Sequence, residues 1–388
     1  MSNKSLLVIA LSARPFVAAA VQAGYLVAAI DGYADSQTVS LAKPAKVVAF
    51  DERGFAAEAM LAAIAQLDAA QYFGFVYGSG FEAQPDLLAK IAERIPLLGN
   101  LPATLASVKA PTHFFSTLAQ QGIAHPKTWT HLSQDVPPDV LLKRVGGCGG
   151  SHIQRLAQQP TLFPEQTYAQ QAIKGLSISM LFLANGQQLS LVGFNELAVC
   201  PGAGMPYRYG GAVSQLDLPV AVQQQMLQAA QALTLSFALL GLNSLDAIVQ
   251  DGRVYVLEVN PRLSASMDLY DRAASELNLL AMHIAACQQG PALILAPTLT
   301  VLAKAKAQAV IYCLRDLTIA ANFVWPPWVE DCPATDKPVL VTLNQAICTV
   351  WSEAADAEGA KQLLAIQVKM LNNLLGNGIK KDEHANND

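Results

Sequence analysis

The sequence predicts an α/β protein: a doubly wound parallel sheet over the first hundred residues, followed by an α+β region of successive strands and long helices. Three observations carry this. Apolar, β-branched runs alternate with helical stretches over residues 5–100, the pattern of a parallel sheet wrapped by helices. Between residues 126 and 194, strand-like runs follow one another with only short loops between them. The chain of 388 residues is 52% hydrophobic and 14% charged, enough core-forming material for two or three domains and too apolar for a disordered chain.

The elements follow in order. Residues 5–11 read as the first strand, Pro15–Ala23 as a helix that Gly24 ends, and Tyr25–Ile30 as the second strand. Lys46–Phe50 reads as a third strand, Phe55–Leu67 as a helix, and Gly74–Tyr77 as a strand leading into Gly78-Ser79-Gly80-Phe81-Glu82. Ligands of such sheets sit beyond the carboxyl ends of the strands. That places Ser12, Arg14, Asp31 and residues 78–82 on one rim. Leu97–Asn100 closes this unit. Ala103–Gln121 is expected to be a single helix carrying Lys109. Strands are expected at Pro126–Trp129, Val140–Lys143, Tyr168–Ile173, Ser177–Leu183 and Gln188–Phe194, then a long helix over Val220–Leu240. A helix beyond Leu277, a strand at Gln308–Leu314, a loop over Trp325–Pro333 and a helix over Ala354–Leu375 complete the pass. The expected units are 1–102, 103–290 with a lid at about 125–175, 291–378, and a polar tail at 379–388.

Several function classes are disfavoured. The net charge is −5 with scattered basic residues, which does not suit a nucleic-acid surface. No uncharged apolar run reaches the ~20 residues of a membrane span. Lys4 precedes the apolar run Leu6–Leu11, but Arg14 follows at once, so this run reads as a strand and not as a signal peptide. The six cysteines are widely spaced, without a CxxC pair, and read as reduced cytoplasmic thiols and not as a zinc site.

The chemistry concentrates in two strands, 245–249 and 254–260, joined at Gln250-Asp251-Gly252-Arg253. The first carries Asp246. The second carries Glu258 and Asn260, two residues apart and so on one face of a pleated strand. Isolated carboxylates are costly to bury in so apolar a hairpin. Oxygen ligands of this kind suit Mg²⁺ (or Mn²⁺), which bridges nucleotide phosphates. Arg262 follows two residues on, with a planar fork for a phosphate or carboxylate. Upstream, Lys143 ends a strand before Gly146-Gly147-Cys148-Gly149-Gly150-Ser151-His152, and glycines let backbone N–H groups wrap an oxyanion.

An acid about a dozen residues before Glu-x-Asn-x-Arg resembles the metal-binding signature of the ATP-grasp superfamily. The resemblance covers most of residues 5–350 and implies a preATP-grasp α/β domain followed by a two-subdomain ATP-grasp fold. It implies ATP and Mg²⁺ as cofactors, with metal ligands Asp246, Glu258 and Asn260. Nucleotide contacts are implied at Lys109, Lys143, Gly147, Gly149, Gly150, Ser151, Gln170, Gln171, Ala172 and Ile173. The last four resemble the hinge strand that holds adenine, largely through backbone groups. The glycine loop departs from the common Gly-Gly-Gly-Gly-Arg-Gly form at Cys148, Ser151 and His152. No acid stands at Leu176-Ser177, where the ribose contact is expected.

The implied chemistry is phosphorylation of a carboxylate to an acyl phosphate, then attack by an amine to give an amide. Arg262 and Lys143 would be catalytic. Substrate candidates are Ser12, Arg14, Gly80, Glu82, Asn195, Glu196 and Arg208, with Arg208 for a carboxylate and Glu82 or Glu196 for an amine. Partners are thus a small-molecule acid and amine, and homodimerisation is a family expectation. The start of the chain is also similar to ATP-grasp proteins of one-carbon cofactor pathways, the tyramine–glutamate ligases of methanofuran synthesis being the nearest. Two other readings stay open: another ATP-grasp reaction (a carboxylase or a phosphoryl transfer), and a nucleotide-binding protein without turnover. A Met-Lys-Met biotinylation motif is absent. A Rossmann redox enzyme would need GxGxxG after the first strand, and Ala10–Pro15 lacks it.

Overall fold

The computed structural model describes residues 4–33, 35–131, 136–158, 163–270, 278–299 and 304–376. The expected tail at 379–388 lies outside them. Four parallel strands form the first sheet, ordered Ala45–Val47, Val27–Asp31, Ser5–Ala10, Tyr72–Tyr77. The two inner strands are apolar almost without a break, as a sheet covered on both faces requires. The helix Arg14–Gln22 packs Phe16, Val17 and Ala20 on one face. Helices Ala57–Ala65 and Pro85–Ala92 pack Met60, Ile64, Leu87, Leu88 and Ile91 on the other.

Some elements differ from expectation. The third strand stops at Val47, and Phe50 turns instead into a two-residue hairpin with Gly54–Phe55. A helix at Ser36–Leu41 was not read from the sequence. Asp35 caps it, accepting from the N–H groups of Gln37 and Thr38. The helix expected over 103–121 is two, Pro102–Lys109 and Pro111–Gln120. Pro111 cannot donate to the preceding turn and forces Ala110 into extended backbone, φ −82° and ψ 108°. Lys109 therefore ends a helix.

A small antiparallel sheet follows, ordered Thr128–Trp129, Thr167–Gln171, Val140–Arg144, Gln154–Leu156. Its core is Trp129, Val136, Val140 and Ala169. The central sheet has eight antiparallel strands: Arg253–Asn260, Leu240–Gln250, Leu176–Asn185, Leu189–Val199, Tyr209–Val213, Ala305–Tyr312, Ala346–Ala354 and Val329–Glu330. The last lies in the expected 325–333 loop. The boundary expected near residue 290 falls within this sheet, because Tyr209–Val213 pairs directly with Ala305–Tyr312. One face carries the helices Val220–Phe237 and Ala357–Leu375. Leu181, Leu183, Val192 and Leu242 of the other face join the first domain and helix Leu279–Gln289 in one core. No helix among the described residues is long and apolar enough to cross a membrane.

Candidate active site

The hairpin that closes the central sheet turns at Asp251 (φ 50°) and Gly252 (φ 75°), the positive pair that an Asp-Gly turn supplies. Val254 and Val256 point into the core under the long helix. Strict alternation would put Glu258 with them. A bulge between Asp246 and Ala247 prevents this: Ala247 lies opposite Val256, but Asp246 lies opposite Glu258. The extra residue, Leu257, turns Glu258 and Asn260 to the face that carries Asp246. Val259 then returns to the core. The same register runs on across the sheet, Asp246 opposite Ser179 and Ser179 opposite Asn195.

Lys109, from the helix end set by Pro111, reaches this face. Its Nζ donates to Glu258 Oε2 at 2.8 Å and to Asn260 Oδ1 at 3.1 Å. Asn260 Nδ2 donates to Asp246 Oδ2 at 3.1 Å. Burial and the facing Glu258 carboxylate push the Asp246 carboxyl up. Partial burial would raise Glu258 too, but the Lys109 ammonium, with Lys143 behind it, outweighs this and holds it low. This is a carboxylate pair with one ammonium between. The donor set, two carboxylates and an amide oxygen, fits a hard divalent cation, whose second charge would relieve the crowding at Asp246. Among the described residues no group of three or more His, Cys, Asp or Glu side chains forms a closed metal cage.

Lys143 is buried above the same face. Burial drives its ammonium down to about 8, Lys109 adds to the fall, and Glu258 opposes it. Its Nζ makes no hydrogen bond to another described residue. The glycine loop beyond it is folded down over the site. Gly146 (φ 69°) rests on the first domain: a Cβ there would lie 2.6 Å from Ala83 Cα and from the Glu82 carbonyl oxygen. Gly150 (φ 71°) rests on Tyr207, whose carbonyl oxygen would meet a Cβ at 2.0 Å. Gly149 accepts from the Tyr209 N–H at 2.8 Å, and Arg144 pairs with Glu52 at 2.5 Å. Gly147 lies under the His152 ring, and Ser151 is half-buried. Burial, with Lys143 and Lys109 nearby, keeps His152 neutral, its pKa down at about 4 against the pull of Glu258. Its Nδ1 is buried without a partner. The Cys148 thiol is pushed up to about 12, by burial first, among Glu82, Arg262, Lys109 and Glu258.

The segment after strand Thr167–Gln171 suits a planar base. Ala172 and Ile173 lie outside the ladder, and their backbone groups pair with no other described backbone group. Gln170 is buried. It donates from Nε2 to Thr128 Oγ1 at 3.2 Å, while its Oε1 has no partner. Gln171 is exposed and pairs its N–H with the Lys127 carbonyl.

Residues 110–266 match the family model of the ATP-grasp domain. Over these residues the chain is similar to an ATP-grasp domain. The hairpin, Lys143, the glycine loop and the 170–173 hinge all fall within its bounds, and Lys109 directly precedes it. Solved structures extend the likeness to nearly the whole chain. Biotin carboxylase from Campylobacter jejuni has a TM-score of 0.73 at 12% identity, covering 93% of this chain and 90% of that one. The biotin carboxylase domain of the Hydrogenobacter thermophilus 2-oxoglutarate carboxylase, a dimer in complex with MgADP, ADP and bicarbonate, has a TM-score of 0.72 at 12% identity, covering 94% and 89%. L-amino acid ligase from Bacillus licheniformis has a TM-score of 0.67 at 16% identity, covering 95% of this chain and 98% of that one. No curated protein sequence gives a significant match.

The substrate candidates fare differently. Arg14 is locked between acids: Asp268, Glu330 at 2.9 Å and Asp331 at 2.7 Å. It joins the first domain to residues 265–269 and to the edge strand, so it is not free to bind a substrate carboxylate. Ser12 stays half-buried on the rim. Glu196 is misassigned: adjacent residues of a strand point to opposite faces, so it leaves the Asp246 side and pairs with Lys361 of the last helix at 2.6 Å. Asn195 takes the site face. Its Oδ1 accepts from Tyr270 at 2.7 Å and its Nδ2 is buried without a partner. Arg208 is not open to a carboxylate. It stacks 3.7 Å over the Tyr312 ring and donates to Cys200 O at 3.0 Å and Asn344 Oδ1 at 3.1 Å. Glu82 cannot hold an amine, because Arg262 and the N–H groups of Gly80 and Phe81 occupy both its oxygens. Sequence reasoning missed Ser179, Tyr77, Asn100 and Glu52. Each acts through a partner far away in the chain, and no local pattern marks it.

Proposed function

We propose that the chain is an ATP-dependent carboxylate–amine ligase that forms an amide through an acyl phosphate. The observation that carries this reading is the Asp246–Glu258–Asn260 face, with Lys109 set into it and Lys143 and the closed glycine loop above it. Mg²⁺ held by Asp246, Glu258 and Asn260 would supply charge neutralisation at the terminal phosphates of ATP. Lys109 and Lys143 bind those phosphates, and the 170–173 hinge takes adenine through its open backbone groups. Arg262 faces the transferred phosphoryl group and the acyl oxygen, where its fixed charge stabilises the transition state. The loop excludes water, so the acyl phosphate meets the amine before it hydrolyses.

The ligase among the structural neighbours supports this reading, and their complexes with MgADP and with a β,γ-ATP compound support the cofactors. The biotin carboxylases support a second reading, in which bicarbonate is the acid that is phosphorylated. Both begin with phosphorylation of a carboxyl oxygen. The finer assignment is a cytoplasmic enzyme of one-carbon cofactor biosynthesis, consistent with six free cysteines, and homodimeric. The test is a phosphate-release screen with MgATP against amino acids paired with aromatic amines, glutamate with tyramine or a furan amine first, and bicarbonate alone as a separate arm. The ligase reading expects ADP and amide only when both substrates are present. Release with bicarbonate alone favours carboxylation, and nucleotide binding without release in any arm refutes turnover.

A further inference from the structure

Arg262 sits on a flexible stem just past the hairpin, and a charge that acts at a reacting centre must be held in place. The first domain does the holding. Glu82 Oε1 accepts from Arg262 Nε at 2.8 Å. Its other oxygen takes the N–H groups of Gly80 at 2.8 Å and Phe81 at 3.0 Å. The backbone is bent to make this possible: Gly80 has φ 114°, and a Cβ there would lie 2.8 Å from the Phe55 ring. Both partners are buried, Glu82 at 4% exposure and Arg262 at 9%. Burial opposes the charge on Glu82, but Arg262 and Lys109 prevail and hold it ionised.

The stem of Arg262 is gripped as well. Tyr77 Oη and Asn100 Nδ2 each donate to the Pro261 carbonyl at 3.0 Å. The Leu263 N–H donates to Tyr77 O at 3.3 Å. With Nε occupied, the guanidinium can turn only its Nη edge toward the metal face. Nη2 stands 3.5 Å from Asn260 Oδ1, and Nη1 donates to Leu263 O at 3.1 Å.

We propose that Glu82 is a positioning residue: from the first domain it fixes Arg262 by its Nε–H so that the Nη groups face the reacting carboxyl and phosphoryl oxygens. The identity of those oxygens rests on the ligase reading, whereas the hold on Arg262 rests on geometry alone. The test uses the full chain with Glu82→Asp, which keeps the charge but withdraws the carboxylate by ~1.5 Å, and with Glu82→Gln. Crystal structures should show the Arg262 guanidinium displaced by about 1 Å or more, with MgATP affinity by calorimetry within about twofold of wild type. A displacement of that size should lower kcat about a hundredfold at nearly constant KM. Adding Glu82→Asp to Arg262→Ala should slow the enzyme no further. An unmoved Arg262 in both crystals, losses that multiply in the double variant, or an effect confined to the KM of the amine would overturn the proposal. Should no acid and amine support turnover, the ligase reading falls, and the position of Arg262 in the two crystals still decides this one.

Discussion

Replacing Glu258 by Gln separates the cost to the fold from the cost to the chemistry. Its carboxylate holds Lys109 at 2.8 Å, and its side chain is 40% exposed. Water therefore screens the pair, and its loss should cost about 1 kcal/mol of stability or less. For a chain of this size that is a fall of about 2 °C or less in the unfolding midpoint. The chemistry loses far more. A unit charge ~4 Å from another is worth about 4 kcal/mol at an effective dielectric of ~20, which corresponds to about three powers of ten in rate. Phosphate release from MgATP, measured with the substrate pair found by the screen, should thus fall about a thousandfold while differential scanning fluorimetry barely moves. Turnover within about tenfold of wild type would refute the assignment of Glu258 to the metal. A collapse of the midpoint would refute the claim that the residue is poised for chemistry and not for folding.

Two further outcomes are expected. Gly146→Ala adds a Cβ 2.6 Å from the Ala83 backbone at φ 69°. Left-handed backbone costs a residue with a Cβ about 1–2 kcal/mol, so turnover should fall about tenfold or more with little change in unfolding midpoint; an unchanged rate would show that loop closure does not matter. His283 is buried, accepts from the Leu242 N–H at 2.8 Å and has its pKa pushed down to about 4 by burial. The unfolded chain therefore takes up a proton near pH 6.5 that the folded chain refuses until about pH 4. Stability is complete above pH 6.5 and should drop by about 3 kcal/mol between there and pH 4. Urea unfolding of wild type and His283→Gln across that range should show a shallower fall in the variant, and identical slopes would contradict the assignment.

What the sequence disclosed, and what it hid, follows from the range of the interactions. Asp246, Glu258, Asn260 and Lys143 were legible because polar groups in apolar strands stand out locally. The bulge that aligns them was not read, although the core positions Val254, Val256 and Val259 break the alternation at Leu257. The assignment of Asn195 and Glu196 to one site ignored the same period-two rule. Pro111 signalled the break after Lys109, yet the apolar stretch on both sides concealed it. The fates of Arg14, Arg208 and Glu82 were not legible, because their partners Asp331, Asn344 and Arg262 lie more than a hundred residues away and only the folded chain brings them together.

The most direct test of the account is a crystal of the full chain grown with Mg²⁺ and a non-hydrolysable ATP compound. The account predicts metal density ~2.1 Å from oxygens of Asp246, Glu258 or Asn260, with the terminal phosphates between Lys109 and Lys143 and the base against residues 170–173. A nucleotide bound elsewhere, or a hairpin face that stays bridged by Lys109 with no metal beside it, would contradict it.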